Sequence, residues 1–250
     1  MMRLKLISCE IFYREMCAAA ARSRNQVDIE FLPKGLHDIG CEKMLARLNE
    51  ALARVDTARY EAVLLGYGLC NNGLVGLRAP SIPLVIPRAH DCITLFLGSK
   101  ERYQRYFESH GGVFFETTGW LERGRDNGEL HQLSIQKIQG LDQTYEELVA
   151  RYGEENARYL HEQLGGMTRN YKQITFIEMG LEPDGRFEDQ ARHMAAGRGW
   201  AFEKIQGDMG LIQRLMDGPW DEAEFLVVPP GWRVAAEYSD QILTREEVPS

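Results

Sequence analysis

Short aliphatic runs that alternate with longer stretches of helical period constrain this chain more than any other feature. "LKLISC" (4 to 9), "VDIEFL" (27 to 32), "EAVLLGYG" (61 to 68) and "IPLVIP" (82 to 87) have the length and β-branched content of strands. Between them, "CEKMLARLNEALARV" (41 to 55) sets Met44, Leu45, Leu48, Leu52 and Val55 three or four apart, on one face of a helix. Parallel strands need a long crossover between them, which a helix supplies. The fold class expected is therefore α/β with largely parallel sheets.

The same grammar returns later. "QITFIEMGL" (173 to 181), helical "FEDQARHMAAGRG", "WAFEKIQ" (200 to 206), helical "MGLIQRLMDG" and "AEFLVVPPG" (223 to 231) read as a second βαβαβ run. Two Rossmann-like runs are expected, and the local likeness of "LARLNEAL…YEAVLLGYG" to "LIQRLMDG…DEAEFLVVPPG" makes them a candidate pseudo-repeat. Residues 1–110 read as an N-terminal α/β half that carries the Cys/His residues, 111–170 as an irregular or helical connection, and 171–250 as a C-terminal α/β half. Within the connection, "LDQTYEELVARYGEENARYLHEQLGG" reads as helix, turn and helix, with Asp142 as cap and Gly165 as stop.

The formal charge of −8, with no Lys/Arg cluster interleaved with aromatics, argues against a nucleic-acid partner. The opening "MMRLKLISCEIF" is interrupted by Lys5, Ser8 and Glu10, so it reads as a first strand and not as a signal peptide. No stretch approaches the roughly 18 to 20 apolar residues that span a bilayer. A cytoplasmic protein without a membrane partner is expected. Five cysteines in a chain long enough to bury its own core point to reduced thiols.

Three of those cysteines sit at strand exits. Cys9 follows the first strand, Cys70 lies in the loop after the third, and Cys92 stands where the fourth gives way to "CITLFLG". Ligands of open parallel sheets bind outside the carboxyl ends of the strands, so these thiols are expected to converge. Cys17 and Cys41 fall in helical patterns and read as packing residues. His90 and Cys92 form an H-x-C pair, and with Cys70 and Cys9 they make a metal-ligand set. Imidazole with thiolate suits zinc; three cysteines without the histidine suit a [4Fe–4S] cluster with one open iron. The residues leave zinc and iron–sulfur both open.

Around this set, Glu10, His37, Gly68, Asn71, Asn72, Arg88 and Asp91 are the candidate substrate-binding residues. Gly66-x-Gly68 lacks the third glycine of a dinucleotide fingerprint, so its glycines are read as allowing a close backbone approach. Asn71 and Asn72 suit either substrate hydrogen bonds or a simple turn. Asp91 either orients a ligand histidine or caps the following helix, and the cap is preferred. Glu178, Asp208 and the "PPGW" turn are further strand-exit groups, read as solvated loop residues before any role in an opposite wall.

The segments "LISCEIFYREMC", "LGYGLCNNGLVGL" and "IPRAHDCITLFLGS" resemble the bacterial and archaeal family called domain of unknown function 1638, with a likeness spanning nearly the whole chain. That resemblance implies a cytoplasmic α/β protein in a setting similar to corrinoid and one-carbon enzymes. Zinc enzymes that pass a methyl group to a thiol are similar in using H-x-C plus a distant cysteine, although there the separate cysteine follows the pair and here it precedes it. The expected function is a metal-dependent enzyme of small-molecule metabolism, with methyl or one-carbon transfer as its reaction. The alternative is a non-catalytic metal- or cofactor-handling accessory to a corrinoid or one-carbon partner enzyme.

Overall fold

A computed structural model of the chain describes residues 1–70, 72–124, 130, 133, 145–154, 156–158, 170–237 and 239–248. The predicted alternation is present: β1 (Arg3–Cys9), α1 (Tyr13–Arg22), β2 (Gln26–Leu32), α2 (Cys41–Ala53), β3 (Ala62–Gly66) and β4 (Leu84–Pro87). α3 (Cys92–Leu97) and α4 (Lys100–Ser109) follow β4. On α2 the expected face is the buried one, through Met44, Leu48, Ala51 and Leu52. β3 and β4 are buried at every residue, which is why their sequences show no polar alternation.

The first sheet has the order β2-β1-β3-β4 with all four strands parallel, and β8 (Phe225–Val228) closes its far edge antiparallel to β4. In this order the chain reverses direction across the sheet between β1 and β3, and such a switch point opens a crevice at the strands' carboxyl ends. Cys9 ends β1 at that crevice.

The second sheet has the order β5-β6-β7, from β5 (Val113–Thr117), β6 (Gln173–Glu178) and β7 (Ala201–Gln206), all parallel. α5 (Thr118–Glu122) and α6 (Tyr145–Tyr152) lie between β5 and β6, α7 (Arg186–Arg198) crosses from β6 to β7, and α8 (Gly210–Asp217) leads toward β8. The proposed cap Asp142 and stop Gly165 lie outside the described residues.

Two strand assignments differ from the sequence reading. β5 stands at 113–117, in the stretch read as an irregular or helical connection. β8, read as the last strand of the second run, belongs to the first sheet. The reason is the partner each edge offers. β7 has no buried residue and is exposed at Ala201, Lys204 and Gln206, as an edge strand is, whereas "FLVV" finds in the buried β4 an apolar neighbour that covers it. α8 guides the return by burying Leu211, Ile212, Leu215 and Met216 in the first core. The stretches of local likeness around β3 and β8 thus end on either side of β4. A hairpin of β9 (Trp232–Ala236) and β10 (Leu243–Glu247), not read from the sequence, follows β8.

The two sheets are tied through α3 and α4. The Asp208 amide donates to the Phe96 carbonyl at 2.9 Å, and Arg102 donates to the Gln206 carbonyl. Among the described residues, no helix is long and apolar enough to cross a membrane.

Candidate functional site

Cys9, Cys70, His90 and Cys92 line one cavity of about 290 Å³ at the carboxyl ends of β1, β3 and β4. Its other walls are Ile11, Phe12, Leu36, His37, Tyr67, Gly68, Asp91 and Trp120. The loops that build it are laced backbone to backbone, with the Leu69 amide donating to Ala89 at 2.8 Å and the Cys70 amide to His90 at 3.0 Å. Gly68 permits this lacing. A Cβ on it would lie 2.7 Å from the Asp91 Cα, so any side chain there pushes the two loops apart. Gly119 serves the opposite wall: a Cβ would meet the Ile11 carbonyl at 1.7 Å, and its absence lets α5 sit against residues 10–12 and hold Trp120 over the cavity.

The thiols carry a consistent electrostatic pattern. Burial pushes Cys9 and Cys70 up to about 12 and Cys92 well above its ordinary value, and the three raise one another through proximity, Cys9 with Cys70 and Cys92 with both. The neighbouring backbone counters this, Ile11 lowering Cys9, Gly68 and Cys92 lowering Cys70, and Cys92 its own thiol. Cys70 also sits at φ +42°, a left-handed conformation that costs a non-glycine residue roughly 1–2 kcal/mol.

Among the described residues, no three His, Cys, Asp or Glu side chains already stand in the geometry of a metal site. His90 is exposed, with its ring 6.5 Å from that of Tyr103. Holding an ion would require the imidazole and the thiols to turn toward a common point. The donor chemistry fits a thiophilic centre, since three thiols and an imidazole line one cavity.

The other sequence candidates divide. Gly68, His37 and Asp91 line the cavity. Asp91 is the N-cap of α3, accepting from the Ile93 and Thr94 amides at 3.0 and 3.3 Å, and it also accepts from the Tyr103 hydroxyl at 2.8 Å. His37 Nε2 lies 3.1 Å from Asp38 Oδ1, and its ring meets Trp120 edge-on at 5.5 Å. Glu10 does not reach the cavity wall; it accepts from the Lys34 amide at 2.9 Å and pairs with Arg123 at 3.9 Å. Arg88 points away into the protein, donating to the Glu222, Gln241 and Leu243 carbonyls. Asn72 is exposed at φ +63° in the turn, and Asn71 lies outside the described residues. Glu178 and Asp208 do not line this cavity.

Sequence reasoning missed Tyr67, whose buried hydroxyl has no partner among the described residues, and Trp120 on the opposite wall. It also missed an outer cleft of about 610 Å³ that shares His37, Asp91, Cys92 and Trp120 with the thiol cavity and runs between the two sheets. Tyr67 carried a readable signal, directly before Gly68 at a strand exit. Trp120 comes from the far side of β5 and carried none.

The family model described as "Protein of unknown function (DUF1638)" matches residues 31–216. The matched stretch holds Cys70, His90 and Cys92 and leaves out the "LISCEIFYREMC" segment with Cys9, so it is shorter than the likeness read from the sequence. No curated protein and no solved structure matches the chain.

Proposed function

The chain belongs to the DUF1638 family, and from its own residues we propose that it is a metal-dependent enzyme of small-molecule metabolism, with methyl or one-carbon transfer to a thiol as its reaction. The observation that carries this reading is the convergence of three thiols, from the exits of three parallel strands, on one cavity. His90, Cys92 and either Cys70 or Cys9 would hold the metal and leave its fourth position open to substrate. Zinc is the metal of choice, and a [4Fe–4S] cluster on the three thiols is the alternative.

Zinc held by thiolates lowers the pKa of a bound substrate thiol and leaves it nucleophilic. The chain supplies the rest. The backbone at Ile11, Gly68 and Cys92 favours the charged form of the sulfurs. His37, held by Asp38 and lining both the cavity and the outer cleft, takes the proton of the entering thiol. The new C–S bond forms as the bond from the methyl carbon to the donor's heteroatom breaks; that heteroatom keeps the electron pair and takes the proton from His37. The outer cleft favours this reading over an accessory role, because a carrier of metal alone has no use for a second, larger cavity beside the thiols.

Cobalt(II) titration of the reduced protein without oxygen tests the ligand set. One equivalent should give a sulfur-to-cobalt charge-transfer band that Cys92→Ser and at least one of Cys9→Ser and Cys70→Ser weaken, while Cys17→Ser and Cys41→Ser leave it intact. A band unchanged in Cys92→Ser would contradict the assignment.

A further inference from the structure

We propose that the outer cleft is a binding site for a flat heteroaromatic ligand that bears a lactam edge and an anionic tail, of the pterin type. The inference rests on the one-carbon reading, since a ring that presents a one-carbon unit to the thiol end is what that reaction needs.

Three features point to this class. The first is a row of backbone groups on β5 that no strand pairs among the described residues. The Lys172 amide donates to the Gly112 carbonyl at 2.8 Å, so even-numbered residues of β5 turn their backbone groups toward β6. Val113 and Phe115 consequently turn theirs to the other edge, where no strand pairs among the described residues. Both residues line the cleft, so an N–H and a C=O of one residue face a ligand side by side. That is the complement of a lactam edge, in which a ring carbonyl adjoins a ring N–H.

The second is aromatic walls. Tyr103, Phe107, Phe115 and Trp120 surround the space, and Phe107 is 51% exposed although its ring lies 5.2 Å from that of Tyr103. Rings of this kind take flat partners by offset or edge contacts. The third is an unmatched cation. Arg198 lines the cleft with its guanidinium 5.7 Å from the Phe114 ring and 4.9 Å from the Trp200 ring, and it has no carboxylate partner among the described residues. A tail carboxylate would pair with it bidentately.

Isothermal calorimetry with folic acid as the pterin probe tests the assignment, using p-aminobenzoylglutamate as the tail without the ring. Folic acid should bind saturably at one equivalent and at least roughly tenfold tighter than the tail alone. Arg198→Met should weaken folic acid by roughly ten- to a hundredfold, and Phe107→Ala by roughly five- to tenfold, with melting curves showing both variants folded. Equal binding of folic acid and the tail, no saturable binding, or full affinity in both variants would overturn the proposal. Repeating the titration with the metal-free Cys9→Ser/Cys70→Ser double variant, whose changes lie outside the lining of the outer cleft, separates the two claims. Folic acid bound there, with no cobalt band in the wild type, removes the thiol-centre reading and keeps the cleft; a cobalt band with no folic acid bound does the reverse.

Discussion

The backbone amide of Cys70 donates to the carbonyl of His90 at 3.0 Å, so the loops leaving β3 and β4 are fastened to each other at the residues that carry the candidate ligands. The backbones at Cys70 and His90 are thereby fixed relative to each other.

Gly68→Ala should break this fastening. A methyl group at 2.7 Å from the Asp91 Cα forces the loops apart, and overpacking of this kind costs about 1–3 kcal/mol. Urea denaturation should show the loss, with faster modification of Cys70 and Cys92 in the native protein. Unchanged stability would mean that the approach of the two loops is looser than described.

Asp91 holds α3 and Tyr103 together, so its replacement separates capping from chemistry. Asp91→Ala should lose about 1 kcal/mol or somewhat more, while Asp91→Asn, which still accepts from the Ile93 and Thr94 amides, should lose much less. Equal losses in the two variants, read by the same denaturation, would argue that charge and not capping is what the position supplies.

Arg88 fastens the β9–β10 hairpin to the end of β4. Arg88→Met removes a donor from the Leu243 carbonyl and one of the two donors of the Gln241 carbonyl, which keeps the Leu243 amide, and should cost about 1–3 kcal/mol. Cobalt binding by the folded variant should stay at the wild-type level. A selective loss of ligand binding with no loss of stability would return Arg88 to the site.

Glu15 is 1% exposed and one of its carboxylate oxygens has no partner. Burial raises it from 4.5 to about 7, with Glu182 and Glu122 adding to the rise and Arg14 opposing it. Because the folded state holds this proton more tightly than the unfolded state, the stabilisation is fully present below about pH 4.5 and is lost as the pH rises through about 7. The full span corresponds to about 3 kcal/mol. Glu15→Gln should flatten the fall in stability between those limits and be the more stable protein at pH 8. A parallel pH profile for wild type and variant, measured by chemical denaturation, would show that Glu15 is not the group responsible.

The parallel sheet and the cysteine convergence were legible because both rest on local rules. Buried strands have apolar sequences, and their carboxyl ends share one edge, so Cys9, Cys70 and Cys92 had to come near one another once β1, β3 and β4 were neighbours. Sheet membership was not legible for β8, since an aliphatic "FLVV" satisfies any buried edge and only the exposure of β7 disfavours the nearer one. Arg88 misled through adjacency: two residues before His90 in the chain, it leaves the strand end in a different direction. The outer cleft draws on β5, α4, α7 and residues 34–38, and a surface assembled from such distant segments leaves no spacing to read.

The most direct measurement is elemental analysis, with an ultraviolet–visible spectrum, of protein purified without oxygen or chelator. The thiol centre predicts close to one equivalent of zinc, or iron accompanied by the broad visible absorption of a thiolate-bound cluster. Protein that folds and carries no metal above trace would contradict it, and would leave Cys9, Cys70 and Cys92 as walls of a cavity that binds something else.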